Sequence, residues 1–369
     1  MRYLFGFLCG VAFCVMPLVG CSDNGGTGGT GGSQQPDGFA YVANGTSGDV
    51  SQYSIGTDGT LSPLVPATVR AGDGPFSITV APSGLFAYVA NFDTISQYSV
   101  GTDGRLSPLT PATVAAGTRT RSVTVDPQGQ FAYVASSASN DVSQYSIGAD
   151  GTLSPLTPAA VAAGDSPHSV TVDPSGQFVY VANWDGDTVS QYSIGADGTL
   201  SPLTPGTVAA GNGPQSVAVA PSGQFAYVAN LLSGDVSQYS IGADGSLSPL
   251  APATVDSGSD PFSDPFSITV EPSGKFVYVA NWGTHDVSQY SIGGDGGLSP
   301  LTPATVAAGD APVAVTVEPS GQFAYVASEN DNKVSQYTIE ADGTLTPLDP
   351  DAVTAGRNPT AITTVGASR

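Results

Sequence analysis

The stretch PHSVTVDPSGQFVYVANWDGDTVSQYSIGADGTLSPLTPGTV, Pro167 to Val208, contains four short runs rich in Val, Ile, Tyr, Phe and Thr. Turn residues separate the runs and no helical period crosses them, so they read as strands and hairpins. In order they are A (SVTV), B (QFVYVAN), C (VSQYSI) and D (LSPLTPGTV). A PSG turn joins A to B, a variable segment follows Asn183 between B and C, and ADG between C and D is a tight-hairpin signal. Strand D carries two prolines, which cannot donate to a central ladder, so D belongs at an outer edge.

The same unit recurs along the chain. Its Y-V-A marker places tyrosine at Tyr41, Tyr88, Tyr133, Tyr180, Tyr227, Tyr278 and Tyr325, with spacings of 47, 45, 47, 47, 51 and 47. Four antiparallel strands repeated at 40 to 50 residues are the signature of a propeller blade. The fold predicted is all-β, a seven-bladed β-propeller of four-stranded antiparallel blades. The chain enters at PDGFAYVAN (Pro36 to Asn44), a turn end plus strand B, and closes with NPTAITTVG (Asn358 to Gly366), a strand A with no B after it. The C-terminal strand is therefore expected to become the innermost strand of the first blade.

With 40% hydrophobic and 11% charged side chains, the 369 residues are too apolar for a disordered chain. Residues 3 to 20 form an apolar run behind Arg2, readable as a membrane-spanning helix or as the core of an export signal. LVGC at Leu18 to Cys21 resembles the bacterial lipobox, which favours the signal and implies lipid attachment at Cys21; Pro17 would sit badly inside a spanning helix. The division expected is residues 1–20 as lipoprotein signal peptide, 21–35 as lipidated cysteine and Gly/Ser/Thr-rich tether, and 36–369 as propeller. By the flexible-chain estimate the tether spans roughly 20 Å. Removing the signal also removes Cys9 and Cys14, leaving no free thiol or disulfide, and brings the formal charge from -22 to about -23 because Arg2 goes with it. Such a charge argues against nucleic acid and against flat adsorption to anionic lipid. The expected location is the bacterial cell envelope, at the outer membrane or cell surface, with a periplasmic face as the alternative, and the domain is expected to be a monomer.

The units PSGQFAYVAN, DVSQYSIGADGTLSPL and AAGDSPHSVTV resemble those of the seven-bladed lactonase-type propellers, a family of 6-phosphogluconolactonase-like and carboxymuconate-cyclase-like proteins similar to the YVTN repeats of microbial surface proteins. The resemblance covers about residues 36 to 366. It implies a propeller and, for activity, hydrolysis of a lactone. Fold alone does not carry a reaction, so the residues must.

Repetition provides an internal control: positions fixed in every copy serve the blade, and those that differ are free or specialised. Just before strand A one slot reads Phe76, Arg121, His168, Gln215, Phe266, Val313 and Thr360 inside a nearly constant frame. Strand A is innermost, so this slot lies at the mouth of the central channel, on the face that also carries the B-to-C segments. Those segments hold the rare side chains Trp184, Trp282 and His285. Arg70, Arg119, Arg121, Lys333 and Arg357 fall on the same face. The opposite turns repeat acids, at Asp58, Asp103, Asp150, Asp197, Asp244, Asp295 and Asp342 and at Asp126, Asp173, Glu271 and Glu318, which read as solvated turn chemistry.

Two uses of the mouth follow. As a binding site for a small molecule, glycan or protein, Trp184, Trp282, Phe76 and Phe266 supply stacking surface, and Gln215, His285, Arg121 and His168 supply polar contacts. As a lactone hydrolase, His168 would activate water and Arg121 would stabilise the oxyanion. The Pro167-His168 pair matches a context of the lactonase-like family, but no other slot offers a second acid or base. A phosphorylated substrate fits poorly, because an envelope protein would not meet a cytosolic sugar phosphate and one or two arginines make a weak phosphate clamp. No cofactor or metal is expected; NWDGD at Asn183 to Asp187 offers oxygens at close spacing, which leaves Ca2+ open, but it lacks the full loop pattern and reads as an Asx-rich turn.

Overall fold

The computed structural model of the protein describes residues 36–258 and 263–367. The expected signal peptide (1–20), the expected lipidation site Cys21 and the expected tether (21–35) lie outside the described residues.

Twenty-eight strands, β1 (Gly38–Asn44) to β28 (Pro359–Gly366), make up the described structure, with no helix among the described residues. They form seven four-stranded antiparallel sheets. In the fourth blade β12 (Pro167–Val172), β13 (Phe178–Asn183), β14 (Thr188–Ile194) and β15 (Leu200–Ala209) lie in that order, as A, B, C and D. The inner strands of neighbouring blades pack on one another around the axis.

Strand B is an unbroken apolar run because both its faces are buried. Val179 and Val181 pack toward Tyr133, Ala135 and Val142 of the third blade. Tyr180 and Ala182, pointing the other way, pack with Val217, Val228 and Tyr239 of the fifth. The core is thus seven layers between blades. Each layer is fastened by side chains that reach the next blade's backbone: the Tyr180 hydroxyl donates to the Gly245 carbonyl (2.8 Å), and the Leu247 N–H donates to Gln191 Oε1 (2.6 Å). Leaving such a buried group unpaired would cost about 1–3 kcal/mol, so these constant Tyr and Gln residues act as blade fasteners.

The C-to-D turn needs glycine for two reasons. Gly245 has φ +81°, and a Cβ there would lie 2.2 Å from Cδ1 of Phe178 on the neighbouring blade. Asp244 completes the turn by accepting from the Ser246 N–H at 3.0 Å. The solvated reading of the acids fits these exposed outer turns but not the A-to-B turns. There Asp126, Asp173, Glu271 and Glu318 are buried, and Asp173 Oδ1 accepts from the Gln177 and Phe178 N–H groups at 2.8 and 2.7 Å. Those carboxylates are internal caps that satisfy backbone donors.

The ring closes as expected. Sheet order in the first blade is β28-β1-β2-β3, with β2 spanning Asp49–Ile55 and β3 Leu61–Arg70, and the β1–β28 register runs from Gly38 opposite Gly366 to Asn44 opposite Pro359. The interface between the last and first blades repeats the same fasteners, Tyr325 hydroxyl to Gly59 carbonyl (2.7 Å) and Leu61 N–H to Gln336 Oε1 (2.6 Å). A space of about 750 Å³ lies at the bottom of this seam, beside Pro36, Glu318, Phe323 and Ala367. None of the seven variable slots reaches it.

Candidate functional site at the channel mouth

All seven slot residues line one cavity of about 410 Å³ at the top of the central channel. Its walls are set by the start of each inner strand, where a buried proline precedes the slot in six blades. In the third blade Thr120 replaces proline, and its hydroxyl donates to the Asn91 carbonyl. The slot side chains are partly buried, except Val313, which is buried. They therefore differ in chemistry while sharing one rigid frame.

Three adjacent blades supply a polar cluster. His168 Nδ1 lies 2.7 Å from Gln215 Oε1, and because an amide oxygen can only accept, Nδ1 carries the proton. Nε2 is then the lone-pair nitrogen, with Ser166 Oγ at 3.5 Å, the outer limit of a hydrogen bond. Trp184 stacks on the imidazole, with centroids 5.0 Å apart and planes at 18°. Burial pulls the His168 pKa down to about 4, the Gln215 contact opposes this, and the Arg121 charge adds to it. His168 is a neutral base at ordinary pH.

Arg121 lies over the Phe76 ring, with Cζ 4.5 Å from the centroid, and its Nε approaches Ser137 Oγ at 3.4 Å. Burial and the Arg119 charge lower its pKa. Among the described residues no carboxylate forms an ion pair with Arg121, although the protein has 31 acids. A half-buried guanidinium held by an aromatic face and facing a cavity is suited to a carbonyl or carboxylate oxygen of a ligand.

The cavity also contains two residues that the slot comparison misses, Glu329 and Asn358. Glu329 is the first residue after strand B of the seventh blade, and its Oε1 accepts from Asn358 Nδ2 at 2.6 Å. The channel therefore does hold a second acid–base group, contrary to the expectation from the slots alone. Aligning the first B-to-C residue of each unit would have exposed it: Gly45, Phe92, Ser137, Trp184, Leu231 and Trp282 are its counterparts, none of them charged.

Phe76, Gln215 and Phe266 line the cavity with His168 and Arg121, and Trp184 backs the imidazole. Trp282 and His285 are not brought into this cavity. Trp282 is 40% exposed on the top face. His285 sits at φ +58°, and its Nδ1 accepts from the Ala311 N–H at 3.0 Å. Asp93, Asn140, Asp187 and Asn332 each do the same with a side-chain oxygen for the N–H 26 residues onward. His285 thus fills a loop-bracing position. In the NWDGD segment Asp187 accepts from the Gly213 N–H at 2.9 Å, and the Asn183 amide donates inward to Thr188 and Ser190. Among the described residues no group of three or more His, Cys, Asp or Glu side chains is placed to hold a metal ion.

The family model described as lactonase, 7-bladed β-propeller, matches residues 94–363. A Bacteroides fragilis protein described as a candidate 6-phosphogluconolactonase has a similar structure, with a TM-score of 0.78 at 22% identity over 90% of this chain and 99% of that one. The periplasmic gluconolactonase of Pseudomonas aeruginosa gives a TM-score of 0.77 at 22% identity over 90% and 99%. A Lactobacillus plantarum protein gives 0.76 at 20% identity over 89% and 99%. At these identities the likeness is one of fold. No curated protein matches the chain in sequence.

Proposed function

This chain belongs to the lactonase family of seven-bladed β-propellers, and from that premise we propose that its channel mouth binds a small lactone and hydrolyses it. The observation that carries this reading is the His168–Gln215 contact, which makes Nε2 the unprotonated nitrogen, met only by Ser166 Oγ at 3.5 Å, in a cavity shared with an Arg121 that has no carboxylate partner among the described residues. In the proposed reaction Nε2 takes a proton from water as the oxygen attacks the lactone carbonyl carbon. Arg121 donates to the developing oxyanion. Collapse breaks the ring C–O bond, and the imidazolium returns its proton to the departing alkoxide, giving a hydroxy acid. A base with a pKa of about 4 is weak at neutral pH, which suits an activated ester such as a lactone and not an amide. A panel of sugar and aromatic lactones tests this directly: release of acid is expected from the unaltered chain and not from Arg121→Ala, and absence of hydrolysis across the panel would overturn it.

Binding of a glycan or protein without chemistry is the second reading. It is favoured by Trp282 and Leu232, 40% and 63% exposed, outside the cavity on the same face. Attachment to the envelope through a lipid on Cys21 belongs to the same proposal. Cys21→Ser is expected to move the protein from the membrane to the soluble fraction; an unchanged distribution would refute the anchor.

A further inference from the structure

Glu329 departs from its six counterparts in a way that bears on ligand choice. Its backbone N–H donates to the Ala311 carbonyl at 2.9 Å, which fixes the residue at the seventh blade. The carboxylate is held at the wall by Asn358, itself at φ +60° with its N–H donating to Asn332 Oδ1 at 2.7 Å. Among the described residues no cation forms an ion pair with Glu329. Val313 and Thr360 are the slot residues on either side of it, and His168 lies three blades away around the ring. The cavity is therefore bipolar, with a guanidinium and an imidazole on one side and a carboxylate on the other.

We propose that Glu329 sets the substrate class, selecting neutral polyhydroxylated lactones and excluding those with a phosphate or carboxylate at the end remote from the carbonyl. The assignment rests on the reading of the channel mouth as a lactone site. With the carbonyl oxygen on Arg121, the far end of a ligand spanning the cavity meets Glu329. Hydroxyl groups there donate to the carboxylate, whereas an anionic substituent faces a fixed like charge in a partly desolvated site. Asn358 is a positioning residue, because its amide orients one carboxylate oxygen and leaves the other toward the cavity.

The test compares glucono-1,5-lactone with its 6-phosphate on the full chain. The unaltered protein is expected to favour the neutral lactone in kcat/KM, and Glu329→Gln is expected to shift the ratio toward the phosphorylated one by about tenfold or more. Glutamine still accepts from Asn358, so the melting temperature should hold, and Glu329→Asp, which keeps the charge, should keep the preference. An unchanged ratio in Glu329→Gln, or a preference of the unaltered protein for the phosphate, would overturn the proposal. Binding is read separately by Trp184 fluorescence in a Trp282→Phe background, with gluconate and 6-phosphogluconate as probes. Selective binding of gluconate that Glu329→Gln abolishes supports the assignment even if no lactone is hydrolysed, an outcome that would sink only the catalytic reading. Equal binding of both, or of neither, overturns it.

Discussion

A chain ending at Arg357 is expected to show no cooperative thermal transition. Removing residues 358–369 deletes β28, the inner partner of β1 along its whole length. Every residue of β1 is buried, so the loss opens an unpaired edge and exposes Phe39, Tyr41 and Val42. Six or seven ladder hydrogen bonds at a net of about 0.5–1.5 kcal/mol each, together with the burial of Ile362, rival the whole 5–15 kcal/mol that separates a typical domain from its unfolded state. Both neighbouring layers also lose their inner contacts, because Ile362 packs in the seam cluster and Ala361 and Val365 pack against the next. Circular dichroism during heating is the measurement. A matched rearrangement, with residues 358–366 moved ahead of Phe39 through a PSGQ turn like those of the other blades, should restore the transition. A truncated chain with an unchanged melt would refute closure as a stability requirement.

What made the fold legible was repetition. Seven near-copies let one reading of strand, turn and edge be checked six more times, and the incomplete first and last units showed where the ring is fastened. The variable slot was legible for the same reason, since His168 and Arg121 stand out only against Phe76, Val313 and Thr360. Rarity misled where position was not compared. His285 is a rare residue, yet its place in the repeat is that of Asn140, Asp187 and Asn332, and it braces a loop as they do. Glu329 is one of only four glutamates, but the chain's 31 acids taken together hid it, and its approach to the channel depends on Asn358 from the following unit. The buried acids of the A-to-B turns could not be told from the exposed acids of the C-to-D turns by sequence, because both are short turns. Depth within the blade, near the axis or at the rim, separates them.

Replacing His168 by alanine is expected to lower kcat about 100-fold or more, the usual contribution of a positioned general base. The stronger test is the pH profile. A base free in solution with the ordinary histidine pKa of 6.5 would give a rate that falls below neutrality, whereas His168 is held neutral by burial down to about pH 4. Activity should therefore persist through pH 5 and fall only near 4. The sign also fixes a stability effect: the folded state disfavours the protonated ring, so the stability His168 contributes is present above pH 6.5 and is lost as pH falls through about 4. Gln215 gives the discriminating variant. Gln215→Glu places a carboxylate against Nδ1–H, which stabilises the imidazolium and should move the acid limb upward toward neutrality while preserving the tautomer. Gln215→Leu removes the acceptor and should lower kcat by releasing the ring from the tautomer that keeps Nε2 unprotonated, without raising the limb. A purely structural histidine would change the melting temperature in these variants and leave the limb where it stands. Trp184→Phe separates the two further, since it keeps an aromatic face behind the imidazole. An acid limb that stays near pH 6.5 in all of them would mean that some group other than His168 takes the proton.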